Sequence, residues 1–226
     1  MIPVLDHGYV RYVDSMGSDL AVVNAARVSF DKASKYWSDK DKSLLAFLWN
    51  HGHTSPFRHA TIKFEVYAPL MVARQWWKYV VGSDHTMDGW NESSRRYVTE
   101  EPVFYRPDVW RSAPEDKKQG SGGPLGEEDN HTIDVCHLLN LSDCLRRYDI
   151  AIKKGVCVEQ ARLLLPAYAM YVRWQWTTSL QGLMHFCQQR IADDAQWEIQ
   201  QYALACAQLG KGPFPHSMEL INAGQG

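Results

Sequence analysis

Two stretches of strict alternation mark the chain. Residues 61–68 place Ile62, Phe64, Val66 and Ala68 on one side and Thr61, Lys63, Glu65 and Tyr67 on the other, the period of a strand with one buried face. Residues 168–178 repeat the pattern, with Tyr168, Met170, Val172, Trp174 and Trp176 opposed to Arg173 and Gln175. Residues 1–14 also have a strand-like apolar content. Elsewhere apolar positions recur at helical spacing. LAVVNAARVSF fits a helix after the Gly17-Ser18-Asp19 break. Ser38-Asp39-Lys40-Asp41 resembles a capping box ahead of Leu44, Leu45, Phe47, Leu48 and Trp49, which predicts a short helix ending near His51-Gly52. Pro69 ends the first alternating strand, and 70–79 continues as a helix. The longest stripe, Val135, Leu138, Leu141, Leu145, Tyr148 and Ile152, predicts a helix over 132–154 that stops at Gly155. A shorter helix over 158–165 is closed by Pro166, and another follows over 180–189 through Leu180, Leu183, Met184 and Cys187. Asp193 or Asp194 is placed to cap a final helix through Ala195, Ile199, Tyr202, Cys206 and Leu209, ended by Gly210. Runs of helices with few, well-separated strands predict an α+β fold. The expectation is a single domain over 1–226, with a small antiparallel sheet packed by several helices.

Composition narrows the class. With 226 residues, 45% of them hydrophobic, the chain has material for one sizeable core. Between 115 and 130, EDKKQGSGGPLGEEDN has almost no apolar content and predicts a mobile surface loop, not a domain boundary. A net charge of −2 argues against a general nucleic-acid binder. No run of 18 apolar residues is present to span a membrane, and MIPVLDHGYVRYVD lacks the basic start and apolar centre of a signal peptide, so the expected location is cytoplasmic. The five cysteines, Cys136, Cys144, Cys157, Cys187 and Cys206, form neither a CxxC pair nor an even set. A disulfide framework or zinc knuckle is therefore not expected, and most are read as small core residues. Nine tryptophans and eleven tyrosines suit large interfaces or flat aromatic ligands.

Chemistry-bearing side chains gather in a few places. Residues 90–97, WNESSRRY, offer a carboxylate, an amide, two hydroxyls and two guanidiniums. That inventory can grip a phosphate and orient a polar ring, and it is equally that of a solvated helix end. HGHTSPFRH carries His51, His53 and His59, which opens a metal reading, although no carboxylate or cysteine lies within it and the spacing is not HExxH. Neither GxGxxG nor GxxxxGK[ST] occurs, and no cysteine sits in a cationic stretch that would activate it as a nucleophile. Arg190, in HFCQQRIADDAQWEI, falls between two helical segments, where an ion pair with Asp193 or Asp194 is its simplest role. Arg162, a lone cation in EQARLLLP, needs an anionic or carbonyl partner, most simply a nearby carboxylate. Arg173 is read as a solvated sheet-face residue. Two functions can be read from these residues alone. One is a metal-dependent nucleotide hydrolase built on His51, His53 and His59; the other is a non-catalytic nucleotide-binding protein that stacks bases on Trp174 and Trp176.

Taken in order, NAARVSF, HGHTSPFRH, ARQWW followed by WNESSRRY, and VEQARLLLP through RIADDAQWEIQQYALA resemble the flavin-dependent thymidylate synthase family, over nearly the whole chain except 100–131. The family signature is Arg-His-Arg, two residues, Ser, one residue, Asn-Glu, one residue, Ser, one residue, Arg. Asn91, Glu92, Ser94 and Arg96 match its second half. The first half departs, because Lys78-Tyr79-Val80 stand where the family has Arg-His-Arg. Lys78 to Glu92 spans fourteen positions where the family has eight, so six residues are inserted, within GSDHTMDG. Lys78 keeps one charge without arginine's bidentate fork, and His85 in the insertion offers a replacement imidazole.

The resemblance implies reductive methylation of dUMP to dTMP, with methylenetetrahydrofolate as carbon donor, FAD as redox carrier and NADPH as electron source. No enzyme nucleophile is needed, and the protein supplies orientation and electrostatics. It implies Arg190 as the catalytic residue, a fixed cation beside the uracil ring. It implies dUMP-binding roles for Gln75, Glu92, Ser94, Arg95, Arg96, Arg162 and Arg190, and FAD-binding roles for Ser29, His53, Ser55, Lys78, Glu92, Ser179, Gln181 and His185, with no metal. It further implies a homotetramer whose active sites form where subunits meet, with small-molecule partners and neither nucleic acid nor membrane. Such interfaces would give the aromatic excess a purpose.

Overall fold

The computed structural model describes residues 1–28, 32–81, 88–93, 101–115 and 120–222. Ile2–Val4 (β1), Gly8–Met16 (β2), Thr61–Pro69 (β3), Gly89–Glu92 (β4) and Tyr171–Ser179 (β5) form one sheet in the order β1-β2-β3-β5-β4. Every pairing is antiparallel. The alternating stretches make its central pair: Phe64 opposes Trp176, Val66 opposes Trp174 and Ala68 opposes Val172. Their apolar faces thus merge into one buried surface. The opposite face carries Tyr9, Arg11 and Glu65, where Glu65 accepts from the Tyr9 hydroxyl at 2.7 Å and from Arg11 at 2.8 Å.

The helices among the described residues are Asp19–Ala26 (α1), Asp39–Asn50 (α2), Leu70–Val81 (α3), Glu127–Lys153 (α4), Val158–Ala161 (α5), Leu180–Ile191 (α6), Trp197–Gly210 (α7) and Pro215–Asn222 (α8). β3 passes into α3, and β5 into α6, with no intervening loop. Because β3 and β5 are antiparallel, the two helices leave from opposite ends of the sheet and fold back over its buried face. They meet at Trp76, which stacks on Phe186 at 4.4 Å and lies edge-on to Trp174 and Trp176 at 5.3 and 5.2 Å. Such aromatic pairs add about 0.5–1.5 kcal/mol each beyond their buried area. The indole nitrogens of all three tryptophans are buried without a hydrogen-bond partner among the described residues, and the surrounding π-faces are the weak acceptors open to them.

α7 closes the layer with Ile199, Tyr202, Ala203 and Cys206 at helical spacing. The Tyr202 hydroxyl donates to the Tyr67 carbonyl at 2.9 Å, directly beside Gly8. A Cβ at Gly8 would lie 1.9 Å from that hydroxyl and 2.7 Å from the carbonyl oxygens of Tyr67 and Val4. Gly8→Ala is expected to destabilise by about 2 kcal/mol through overpacking. A thermal melt should show the midpoint falling by roughly 4–8 °C.

Two carboxylates staple the remaining helices. Asp41, buried in the first turn of α2, accepts from the Ser38 backbone N–H at 2.8 Å, from the Ser38 and Ser34 hydroxyls and from Arg27. Asp19, in the first turn of α1, accepts from the backbone N–H groups of His216 and Ser217 and caps α8 across the fold.

Several sequence expectations are corrected. The second strand begins at Tyr171, not at 168; Tyr168 is 69% exposed, because the chain is still turning after Pro166 through the Ala169 N–H to Pro166 carbonyl bond. α4 begins at Glu127, inside the stretch read as loop. Its acidic first turn of Glu127, Glu128 and Asp129 suits the positive end of a helix dipole. No residue of α4 is fully buried, and of its apolar stripe Leu145 and Tyr148 pack against the core while partly exposed. Within HGHTSPFRH, Ser55–His59 forms a 3-10 helix, and the predicted 158–165 helix divides into α5 and the 3-10 turn Arg162–Leu164. α7 starts after Gln196, so neither Asp193 nor Asp194 caps it. Cys187 and Cys206 are core residues, whereas Cys136 and Cys157 are exposed. Among the described residues no helix is long and apolar enough to cross a membrane.

Candidate functional site

The convergence of α3 and α6 brings together residues 111 positions apart. Arg190, in the last turn of α6, donates from Nε to the Tyr79 hydroxyl at 2.6 Å, and its guanidinium carbon lies 5.0 Å from the Tyr79 ring centroid. Phe186 meets that ring edge-on at 5.4 Å, and His185 approaches it at 5.7 Å. Arg190 is therefore a helix residue turned toward α3, and its side-chain hydrogen bond goes to Tyr79, not to Asp193 or Asp194, where the sequence pointed.

One turn earlier on α3, Gln75 donates to the Gln196 amide oxygen, and Gln196 donates to Glu198 at 2.7 Å. A carboxylate only accepts, so Glu198 orients Gln196, and Gln196 in turn orients Gln75.

A cleft of about 460 Å³ opens beside the start of β5, lined by Glu92, Ser93, Arg162, Leu70, Met170 and Val172. β4 supplies Glu92 because it pairs with β5, Glu92 opposing Trp174. The Ser93 N–H continues that pairing to the Arg173 carbonyl at 2.8 Å. Arg162 faces the same space from the 3-10 turn after α5, so residues distant in sequence share one cleft. Arg173 instead lies over the Tyr67 ring at 5.4 Å. Ser94, Arg95 and Arg96, together with Ser29 and His85, lie outside the described residues.

A third group surrounds the start of α6. Arg58 donates from Nε to the Gln181 side-chain oxygen at 3.0 Å, and Leu180 donates its N–H to the Ala60 carbonyl at 2.8 Å, tying the 3-10 helix to α6. Ser179 is buried and its hydroxyl accepts from the Gly182 N–H at 3.1 Å, so it serves as the α6 cap. Ser55 and His53 are exposed at the 3-10 helix, and Lys78 is exposed in the last turn of α3.

Both competing functions lose their geometry. His51 stacks on Phe47 at 4.2 Å with its Nδ1 against the Phe47 carbonyl, and His53 lies 5.9 Å from the same ring. Among the described residues no three His, Cys, Asp or Glu side chains are placed to hold a metal ion. Trp174 and Trp176 are each 1% exposed, and Trp90 stacks on Trp174 at 4.6 Å, so neither offers a face to a nucleobase.

Sequence reasoning missed Tyr79, Arg58, Gln196 and Glu198 as partners of the site residues. Arg58 lies within the quoted HGHTSPFRH, and Tyr79 stands at the family's histidine position, which are the signals that pointed to them.

The fold matches that of a UMP/dUMP methylase. Crystal structures of a UMP/dUMP methylase, PolB, from Streptomyces cacaoi, bound with 5-Br UMP and with 5-Br dUMP, match with TM-scores of 0.82 and 0.83 at 26% and 27% identity. They cover 98% of this chain and 96% and 97% of theirs. Flavin-dependent thymidylate synthases from Thermus thermophilus and Thermosipho africanus are 40% and 38% identical, over 95% and 96% of this chain and 75% and 91% of their own lengths. The family of thymidylate synthase complementing proteins matches residues 11–216, and the chain belongs to it.

Proposed function

We propose that this protein is a flavin-dependent thymidylate synthase that converts dUMP to dTMP. The observation that carries the reading is the cleft in which Glu92 and Arg162, both at family motif positions, face one space from distant parts of the chain. Arg162, joined by Arg96, Arg95 and Ser94 of the motif, is assigned to the dUMP phosphate, where charge-assisted bonds are strongest. Gln75 and Glu92 are assigned to orienting the nucleotide. Arg190 is assigned to the uracil ring, where a cation fixed in place stabilises charge as it develops. No thiolate attack is required, and burial pushes the thiols of Cys187 and Cys206 well up, away from thiolate character.

The residues at the start of α6 fit FAD. Arg58 is bonded there to a neutral amide, so that contact leaves its charge available to a diphosphate. His53, Ser55, Lys78, Ser179, Gln181, His185, Glu92 and Ser29 would hold the cofactor, the Ser179 hydroxyl also accepting from the Gly182 N–H as the α6 cap. When bound, FAD supplies the electron pair that NADPH delivers, and methylenetetrahydrofolate supplies the carbon.

A homotetramer with shared sites is the assembly proposed. The Gln181 group follows the last residue of β5, whereas Val172, near its first, lines the dUMP cleft. At the rise of an extended strand these two groups lie about 25 Å apart, a separation that sites shared between subunits would bridge. The α4 surface, with Leu139 66% and Ile150 47% exposed, supplies apolar area for subunit contact.

Arg162→Ala is expected to weaken dUMP binding by roughly tenfold to a hundredfold while leaving kcat nearly unchanged, read from calorimetry and KM. The decisive experiment combines absorbance in the flavin bands, tritium release from labelled dUMP with folate and NADPH, and gel filtration. A colourless, metal-loaded protein active on nucleotides without flavin would restore the hydrolase reading. An active monomer would remove the tetramer.

A further inference from the structure

We infer that Tyr79 is a positioning residue for Arg190, through a phenol–guanidinium clamp. The inference rests on the proposed dUMP methylation. Its first support is how the clamp is anchored: Tyr79 packs on Phe186, Phe186 stacks on Trp76 at 4.4 Å, and both Phe186 and Trp76 are fully buried. The hydroxyl that meets Arg190 is thus held by the core, not by a mobile side chain, and the order it imposes on a long arginine is fixed before substrate arrives.

The second support is chemical. Tyr79 takes the Nε–H of Arg190, the side donor of the guanidinium, and leaves both terminal NH2 groups, a paired fork suited to a carbonyl or imide edge. The third is electrostatic. A carboxylate partner such as Asp193 or Asp194 would orient Arg190 while neutralising it, whereas a neutral phenol orients it and leaves the full positive charge. An arginine that must stabilise negative charge on a ring needs both properties.

The test uses the flavin-loaded full chain. Tyr79→Phe removes the hydroxyl and keeps the ring that packs on Phe186. Its kcat is expected to fall about tenfold, with the dUMP dissociation constant from calorimetry and the melting midpoint both close to wild type. In an Arg190→Lys background, where no Nε–H remains, Tyr79→Phe is expected to have no further effect. Wild-type kcat in Tyr79→Phe, an undiminished effect in the Arg190→Lys background, or a loss that follows the melting midpoint alone would each overturn the inference. Wild-type protein that forms no dTMP would overturn the underlying reading and the inference with it; wild-type turnover beside an unaffected Tyr79→Phe overturns the inference alone.

Discussion

Arg190→Ala is expected to leave the protein folded and to lower dTMP formation by about a hundredfold to a thousandfold, the loss that follows removal of one preorganised charge-stabilising group. The stability side follows from the surroundings. Arg190 is half-buried at the end of α6, and its recorded partner is the Tyr79 hydroxyl and ring. Losing a hydrogen bond and a cation–π contact at such a site costs about 1 kcal/mol, well within the stability of a domain of this size. The chemical side follows from what alanine cannot replace. Water entering the gap would solvate developing charge, but it would have to reorganise to do so, whereas the clamped guanidinium is already in place. Tritium release from labelled dUMP, set beside a thermal melt, separates the two effects. Near-normal turnover would refute the assigned role, and Arg190→Lys should fall between the two because it keeps the charge without the fork.

Asp41→Ala is expected to destabilise the fold by about 3 kcal/mol, because it removes one member of a buried ion pair and strands the other. Asp41 is 0% exposed and the Arg27 side chain 18% exposed. Without Asp41, Arg27 loses its partner, the Ser38 N–H loses its acceptor and α2 loses its acidic first-turn cap. For a chain of this length the melting midpoint should fall by roughly 6–12 °C. The same carboxylate sets a pH signature. Burial raises the Asp41 pKa, but hydrogen bonds from Ser38, Arg27 and Ser34, with the Arg27 charge, outweigh burial and hold it below the usual carboxylate range. A depressed folded value means that the stabilisation is complete above the unfolded carboxylate pKa of about 3.9 and is lost as pH falls through the lower folded value. The gap between wild type and Asp41→Ala should be constant from neutral pH to about 5 and narrow below about 4. A gap unchanged at pH 3 would show that Asp41 does not act through its charge.

The central sheet was legible in the sequence because its pattern is local. Each of Ile62, Phe64, Val66 and Ala68 is fully buried, and period-2 alternation requires no partner to be seen. The Ser38–Asp41 motif was legible for the same reason, since its bonds close within one turn. What could not be read depends on partners far along the chain. β4 is four residues, GWNE, with no alternation of its own, and it exists as a strand because β5 lies beside it. α8 is capped by Asp19, 197 residues away from His216. The stripe on α4 predicted the helix and left open what covers its apolar face, since periodicity reports that a face is apolar and not its partner. At the site, the motif named Arg190, but only the folding of α3 against α6 places Tyr79 on its Nε. The local sequence pointed to Asp193 or Asp194, which lie beyond the turn that ends α6.

The tryptophans of the sheet also give the molecule an optical signature. Trp76, Trp174 and Trp176 are at most 1% exposed, and the Trp76 ring lies edge-on to both of the others. Indoles so shielded from water emit toward the blue, and unfolding moves that emission to the red as water reaches them. Trp76 and Trp176 lie against Phe186, the ring that also braces Tyr79. Their colour therefore reports on the packing that holds Arg190 in position.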